Sequence, residues 1–403
     1  MLLKWDGFIK VPSIYLYLVS RVLTTVAYQI ESIAIGWQVY AIRKDPLDLG
    51  WVGLAQFIPM LVFSLWGGQL ADRFERKKIL IYCYLVWVLS VVVMAIATAM
   101  GQGTLSLFLV LLFVQGTIRA FSNPAAHAFV TQVVPEKELK RAIALNASIW
   151  QASTITGPMV GGILYGILEK PEWVYAVAAG ASFLGICFLS QVSATSHEKI
   201  KEKFSIKNLF SGVEYVRSKP VLLGCISLDL FAVLFGGATA LLPAYASDIL
   251  HVGPKGLGIL RAAPAIGAIF TSLWLSRWPM KQRAGFWLFI HVVIFGVSTI
   301  GFGLSHVMWL SLLMLFISGA SDMVSVVIRM TLVQLASPPA MRGRVSAVNS
   351  IFISASNELG EFESGMTAGW FGVVQAVVIG GLGSVFVAAI WAWRFPELRK
   401  MAE

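Results

Sequence analysis

Long apolar runs recur along the whole of this chain, and they constrain its fold more than any other feature. A bilayer core about 30 Å thick is crossed by roughly 20 apolar residues in helical conformation. Apolar residues make up 57% of the 403 positions and charged residues only 13%, whereas soluble domains carry about 25% charge. The pattern therefore predicts an all-α protein that spans the lipid bilayer many times and has no sizeable soluble domain.

Twelve such runs predict about twelve transmembrane helices connected by short loops. Several loops are so short that the boundary between neighbouring spans is uncertain by a few residues. The predicted spans cover residues 13–41, 49–71, 79–100, 104–134, 138–168, 172–192, 221–249, 255–276, 285–304, 307–336, 343–370 and 373–393.

Lysine and arginine are divided unequally between the two sides of the predicted membrane. Cytoplasmic loops of membrane proteins carry an excess of both residues. With a cytoplasmic amino terminus, segments on that side hold 23 of the 31 basic residues, the opposite loops hold 4, and 4 lie within spans. We therefore expect both termini in the cytoplasm. The net charge of +10 has the same origin, so it does not indicate a nucleic-acid partner.

The two halves of the sequence match each other at a shift of 203 residues. Eight positions coincide without gaps, at equivalent places in the spans. The pairs are Gly50 and Gly253, Gly53 and Gly256, Leu54 and Leu257, Gly116 and Gly319, Arg141 and Arg344, Asn146 and Asn349, Gly157 and Gly360, and Gly162 and Gly365. The repeat predicts two pseudo-symmetric six-helix halves, at residues 1–192 and 221–403, with a substrate site between them near mid-membrane.

Residues 193–220 form the longest polar stretch and join the two predicted halves. Ile206, Leu209, Phe210, Val213 and Val216 recur in it at helical spacing, which is typical of a helix lying on the cytoplasmic membrane surface. A solvated linker without such a helix is the alternative.

The loop after the second span carries a dense motif: residues 67–78 read GGQLADRFERKK. This order of glycine, Asp-Arg and basic cluster resembles the signature loop of the major facilitator superfamily. The resemblance implies that Gly68 permits close helix approach, and that Asp72, Arg73 and Arg76 belong to a gate whose ion pairs break as the halves rock. Glu75 stands where the family pattern has glycine. A role of the basic residues in topology alone is the alternative.

The fifth span contains a second motif, in which residues 157–162 read GPMVGG. Proline bends a transmembrane helix, and small residues allow another helix to pack against the bend. The motif resembles the antiporter signature of the same superfamily, which implies export. Its residues are Gly157, Pro158, Gly161 and Gly162. Similar bends also occur in helices with no transport direction to enforce.

Charged residues inside the spans are the best site candidates, because a charge in lipid is costly and faces the interior of the helix bundle. We rank three carboxylates as proton carriers in the order Asp229, Glu31, Asp322. Burial raises the proton affinity of a carboxylate, and a nearby arginine lowers it again. Asp322 and Arg329 lie seven residues apart on one helix face. Arg119 coincides with Asp322 under the 203-residue shift, so we expect these opposite charges to face each other across the cavity, and a purely structural ion pair is the alternative. We expect Asp229→Asn to abolish proton-driven flux without affecting folding.

A second group of polar residues is predicted to line a substrate cavity. Arginines in it would bind an anionic substrate, and amides would add hydrogen bonds. Each amide taken alone favours a helix-packing contact over a substrate contact. The candidates are Arg119, Arg329, Asn146, Gln151, Asn349, Glu358 and Glu361.

Several classes of site find no support in the sequence. Cys83, Cys187 and Cys225 lie inside apolar runs without metal-ligand spacing, so that neither disulfides nor zinc are indicated. There is no nucleophile elbow, metal cluster or phosphate loop. We therefore expect no metal, no cofactor and no enzymatic activity.

The whole chain looks like the enterobactin-exporter branch of the major facilitators, on its spacing, the loop motif and the segments at residues 329–334 and 338–345. The resemblance implies a monomeric carrier in the bacterial inner membrane that exports a small amphipathic molecule, such as a siderophore, in exchange for protons. Multidrug or macrolide efflux is the main alternative. A lysophospholipid flippase and a solute importer are further ones.

Overall fold

A computed structural model of the chain describes residues 12–135, 138–193, 213–278 and 283–401. Within these ranges the secondary structure is helical and contains no strand. The helices are α1 (Pro12–Arg43), α2 (Pro46–Arg73), α3 (Arg76–Ala99), α4 (Leu105–Val133), α5 (Leu139–Leu168), α6 (Pro171–Ser190), α7 (Pro220–Phe235), α8 (Gly253–Arg277), α9 (Ala284–Gly303), α10 (Met308–Ala336), α11 (Pro339–Phe371), α12 (Val373–Arg394) and the short α13 (Pro396–Lys400).

These helices coincide with the twelve predicted spans. The exception is the seventh span, predicted to end at 249, where α7 ends at Phe235; at the other boundaries the largest difference is four residues, at the start of α11 (343 predicted, Pro339 observed). In the part of the chain that is described, nine helices are long and apolar enough to cross a membrane. The other three long helices, α1, α5 and α11, have 32, 30 and 33 residues.

Local sequence explains where several helices begin and end. α6 and α7 start at Pro171 and Pro220, where the missing N–H of proline leaves no hydrogen bond unmade. Thr104 caps α4, because its Oγ1 accepts a hydrogen bond from the backbone N–H of Leu107 at 3.4 Å. Gly101, with φ +70°, ends the turn after α3.

The seventh span is broken rather than continuous. α7 ends at Phe235, and the chain continues through a 3₁₀ segment over Ala238–Leu241 and a π-helical turn over Tyr245–Ile249. Gly237 packs against the backbone of α11, where a Cβ would approach the Gly360 carbonyl oxygen to 2.5 Å. The backbone therefore leaves the regular helix at a place where only glycine fits.

The chain forms two compact units. Unit 1 contains residues 12–42 and the described residues from 55 to 193, and unit 2 contains residues 43–54 and those from 213 onward. Tyr17, Leu80 and Phe129 belong to the core of unit 1, and Leu228 and Ile328 to that of unit 2. The predicted half boundaries at 192 and 221 stay a prediction. The predicted surface helix falls mostly outside the described residues.

Matched glycines of the internal repeat make corresponding contacts in the two units. A Cβ on Gly116 would overlap the Gln56 carbonyl of α2, and a Cβ on Gly319 would overlap the Pro264 carbonyl of α8. Gly157 and Gly360 likewise pack against the first helix of their own units, α1 and α7. Such close approaches hold helices together in lipid, where apolar burial between helices gives little driving force.

Candidate functional site

Unit 2 contains a polar cavity of about 210 Å³ within the membrane-spanning region. Its wall is built by α7, α8, α9, α10 and α11. The ionisable side chains that line it are Asp229, Asp322, Arg329 and Glu361, and neutral polar neighbours include Thr239, Ser298, Thr299, Ser318, Ser356 and Asn357. The cavity therefore has an acidic balance of charge and many hydrogen-bonding groups.

Asp229 of α7 and Arg329 of α10 form an ion pair in the wall of this cavity. The two residues are only 7% and 2% exposed. Removing two charges from water is costly, and each needs the other to compensate. Spacing along α10 predicted that Asp322 and Arg329 share one helix face. The structure pairs Arg329 with Asp229, and Asp322 lines the same cavity.

The break after α7 brings backbone into the same wall. Gly236, Gly237, Ala238 and Thr239 all line the cavity. The N–H of Ala238 donates to the Gly236 carbonyl at 2.7 Å, so the helical hydrogen-bond pattern is interrupted there. Irregular backbone at membrane depth is tolerated where it borders a cavity, and in transporters it often marks a binding site.

Glu31 of α1 is buried in unit 1 and is 1% exposed. Its Oε1 accepts a hydrogen bond from Gln115 Nε2 of α4 at 2.5 Å, and the same Nε2 donates to Ser90 Oγ of α3 at 3.0 Å. Trp87 of α3 is a further neighbour of the carboxyl group. All these partners are neutral. The surroundings of Glu31 therefore differ from those of Asp229, although both lie on the first helix of a unit.

Arg119 of α4 lines a second, smaller cavity, of about 120 Å³, in unit 1. Its Nη1 donates to Gln56 Oε1 at 3.2 Å, and its guanidinium lies 5.8 Å from the centre of the Tyr28 ring. The Tyr28 hydroxyl donates to the same Gln56 oxygen at 3.3 Å. α1, α2 and α4 thus fix the position of this arginine together.

The α5 motif packs against α1. A Cβ on Gly157 would overlap the side chain of Gln29, and one on Gly161 would lie 3.0 Å from the Ile30 Cα. Pro158 is buried at the same contact. The glycines therefore permit the close approach that the motif predicted, and their partner is the helix that carries Glu31.

The loop motif is ordered by contacts within unit 1. The Arg76 guanidinium donates to the Ala128 carbonyl at 3.1 Å, and Lys77 donates to the carbonyls of Ser190 and Val192 at 2.7 and 2.8 Å. Glu75, in the glycine position of the family pattern, forms an ion pair with Lys78 at 2.8 Å. Lys77 and Arg76 therefore join α3 to the ends of α4 and α6.

Gly68, Arg73 and Asp72 of the same loop were also predicted to belong to the gate. The close helix approach predicted at Gly68 occurs at Gly67, where a Cβ would overlap the Ala120 carbonyl. Among the described residues, no atom lies within 4 Å of a Cβ built on Gly68. Arg73 is exposed. The side chain of Asp72 lies outside the described part of the chain, so its pairing stays a prediction.

The remaining candidates fall in different surroundings. Asn146 accepts a hydrogen bond from Arg21 Nε at 3.3 Å. Asn349 is 2% exposed and packs against the Met330 sulfur, so it lies in a helix contact and not in the wall of the unit 2 cavity. Gln151 and Glu358 are partly buried. The described residues contain no group of three or more His, Cys, Asp or Glu side chains placed to hold a metal ion.

The sequence contains signals for further residues of the two cavities. The Gly236-Gly237 pair inside an apolar run indicates a break in a helix. Arg21 is likewise a charged residue within a predicted span, and it lines the unit 1 cavity with Tyr84 and Trp87. An aromatic residue in an apolar span does not indicate a cavity, because most such residues face lipid or the helix core.

The chain is similar to known proteins over most of its length. A sequence model of the Major Facilitator Superfamily matches residues 17–361. The chain belongs to the major facilitator superfamily. It is therefore a membrane transporter and not an enzyme, and the predicted all-α multi-span fold of this superfamily is confirmed.

Curated major facilitators similar to this chain include two enterobactin exporters. The one from Citrobacter koseri is 23% identical over 400 residues, which covers 97% of this chain and 94% of the relative. The one from Shigella boydii is 22% identical over 378 residues, which covers 93% and 86%. The resemblance to the exporter branch that the motifs predicted is confirmed.

Solved major facilitator structures agree with the fold. A bacterial homologue of the human lysosomal transporter Spinster, solved in an inward-facing and unoccupied conformation, matches with a TM-score of 0.75 at 16% identity, over 96% of this chain and 98% of that one. A D-xylose–proton symporter matches with a TM-score of 0.71 at 13% identity, over 97% and 100%. At these identities the likeness concerns the fold alone.

Proposed function

We propose that this chain is a proton-coupled exporter of a small amphipathic molecule of the siderophore class, which acts as a monomer in the bacterial inner membrane by alternating access. The observation that carries the proposal is the Asp229–Arg329 pair in the wall of a membrane-embedded cavity, beside Asp322. An ionisable group held in a membrane cavity is the usual site of proton or substrate exchange in transporters.

The pairing of Asp229 with Arg329 supports coupling through competition for the carboxylate. Arg329 stabilises the charged form of Asp229, and a proton that reaches Asp229 through the cavity removes the attraction between the two. Protonation therefore releases Arg329, so that α7 and α10 are joined differently in the two protonation states. A two-state element of this kind is what alternating access requires.

Two observations support export of a siderophore. The curated relatives are enterobactin exporters, and the match extends over nearly the whole length of both chains. The α5 glycines make the close helix contact that the antiporter motif predicts. That motif also occurs in drug antiporters, so multidrug efflux is the second candidate function.

Transport into inverted membrane vesicles tests the proposal. Vesicles from a bacterial host that lacks its own siderophore exporters, energised to give an acidic lumen, should accumulate enterobactin only when the chain is present. A protonophore should abolish the accumulation. The exposed-site variant Lys170→Gln should transport like the unmodified protein.

Three results would oppose this function. Accumulation that survives the protonophore excludes proton coupling. Accumulation only when the lumen is alkaline would mean that substrate and protons move in the same direction, so that the chain imports its substrate in the cell. Accumulation of a macrolide but not of enterobactin supports the multidrug function in its place.

A further inference from the structure

We infer that the 120 Å³ cavity of unit 1 is a subsite for an anionic aromatic group, a carboxylate or phenolate on a single ring, carried by the transported molecule. The inference rests on the proposed function, because it names the chemical class of the substrate. The cavity lies between α1, α3, α4, α5 and α6. Its lining is Arg21, Thr24, Thr25, Tyr28, Tyr84, Trp87, Ile118, Arg119, Ser122, Asn123, Trp150 and Ser182.

The charge of this lining is positive. Arg21 and Arg119 both contribute to it, and none of the described residues that line the cavity is a carboxylate. Glu31 faces Trp87 and is not part of the wall. A membrane cavity whose wall holds the Arg21 guanidinium among neutral partners favours an anionic occupant, since a low dielectric strengthens the attraction.

Arg21 is held in place by neutral groups. Its Nη1 donates to the Tyr84 hydroxyl at 3.1 Å, and its Nε donates to Asn146 Oδ1 at 3.3 Å. Both bonds orient the guanidinium without neutralising its charge. Arginine carries five N–H donors in a planar fork, so donors remain for a carboxylate in the cavity.

The aromatic side chains give the cavity its second property. Tyr28 of α1, Tyr84 and Trp87 of α3 and Trp150 of α5 form part of its wall. Aromatic rings bind other rings in stacked or edge-to-face arrangements. A cavity of about 150 Å³ holds benzene, so a space of about 120 Å³ suits one ring and not a whole siderophore.

The unit 2 cavity cannot take the same group as readily. Its arginine, Arg329, is already paired with Asp229. Asp322 and Glu361 line that cavity as well, and they repel an anion. The sequence presented Arg119 and Arg329 as equivalent anion ligands. Arg329 is paired with a carboxylate, whereas Arg21 has the neutral partners Tyr84 and Asn146, so the geometry assigns the anionic end of the substrate to unit 1.

Binding to the purified full-length protein tests the inference without requiring transport. Isothermal titration in lipid nanodiscs should show that benzoate and salicylate bind, whereas benzamide, the neutral isostere of benzoate, binds at least about tenfold more weakly. Arg21→Gln should weaken benzoate binding by about tenfold to a hundredfold and leave benzamide binding unchanged. Arg21→Lys should retain part of the preference, because it keeps the charge and loses the fork.

Controls separate a lost subsite from a lost fold. Lys170→Gln removes an exposed positive charge from the same unit and should bind benzoate like the unmodified protein. The thermal unfolding temperature of each variant is measured in parallel, and Arg119→Gln provides a second test if Arg21→Gln does not fold. Equal binding of benzoate and benzamide, or full benzoate affinity in folded Arg21→Gln and Arg119→Gln, would overturn the inference. Benzoate binding without enterobactin transport would refute the proposed function and leave the subsite standing.

Discussion

Each unit contains a buried carboxylate, Glu31 on α1 and Asp229 on α7, and the partners of the two carboxylates differ in charge. In unit 1, Glu31 accepts a hydrogen bond from Gln115 and has neutral neighbours, while the arginines line a separate cavity. In unit 2, Asp229 is paired with Arg329, and the cavity around them is acidic. The repeat therefore preserves the helix scaffold of each unit and not its charges.

Matched glycines show which positions of the repeat are constrained by helix packing. Gly116 and Gly319 coincide under the 203-residue shift, and both sit against the backbone of a neighbouring helix. Three buried charged residues have no such match: Glu31 falls on Leu234, Asp229 on Val26 and Arg329 on Ala126. Backbone contacts leave no room for substitution, whereas cavity residues change with the chemistry of each unit.

The ion pair should give the largest difference between the units. Arg329→Gln leaves Asp229 buried without a counter-charge, so we expect the free energy of unfolding to fall by about 3–5 kcal/mol. Asp229→Asn leaves Arg329 buried without a counter-charge in the same way, so we expect a similar loss of stability. The sequence alone led us to expect that this variant folds normally. Thermal unfolding of the purified proteins in detergent measures both effects.

The double variant Asp229→Asn with Arg329→Gln is the matched control for the pair. It removes both charges together and should recover most of the lost stability, because no unpaired charge remains. Single variants that unfold like the unmodified protein would show that the pair is not buried as described.

Glycine substitutions should have intermediate effects and should be alike in the two units. We expect Gly116→Ala and Gly319→Ala each to lower the free energy of unfolding by about 1–3 kcal/mol, because the added methyl group overlaps a carbonyl of the adjacent helix. Gly180→Ala is the control, since no described atom lies within 4 Å of its Cβ position. It should be neutral or stabilise by about 0.5–1 kcal/mol. A loss of stability in only one of Gly116→Ala and Gly319→Ala would show that the two glycine contacts are not equivalent.

Glu31→Gln should have the smallest effect on stability. Its new amide oxygen can accept the hydrogen bond that Gln115 now donates to Glu31, and no cation is left unpaired. We expect a loss of less than about 1 kcal/mol, in contrast to Asp229→Asn. Urea or thermal unfolding of the two variants side by side checks this. A loss above 3 kcal/mol for Glu31→Gln would place a charged partner beside Glu31.

Helix positions followed from the sequence because lipid imposes a simple rule on apolar runs. The prediction of 13–41 for the first span against Pro12–Arg43 is typical. The break at Gly236-Gly237 was not predicted, because hydropathy is averaged over a window and does not depend on the backbone hydrogen-bond pattern. Gly67 and Gly68 were likewise not separable without knowing which side of α2 faces α4.

The pairing of charges was not predictable in the same way. Asp322 and Arg329 share one helix, so their relation was visible in the spacing. Asp229 lies 100 residues before Arg329, and their meeting depends on the rotation of two helices. Asn349 shows the same limit: its repeat position suggested the cavity, whereas the rotation of α11 places it beside Met330.

The contact between α5 and α1 has a consequence for how this transporter can evolve. Gly157 and Gly161 pack closely against Gln29 and Ile30, the two residues that precede Glu31. A mutation that straightens or bends α5 therefore also moves the Glu31 carboxyl group and its bond to Gln115. Under the proposed function, a lineage cannot alter the export motif without disturbing its neighbouring carboxylate, so changes on the two helices should be inherited together.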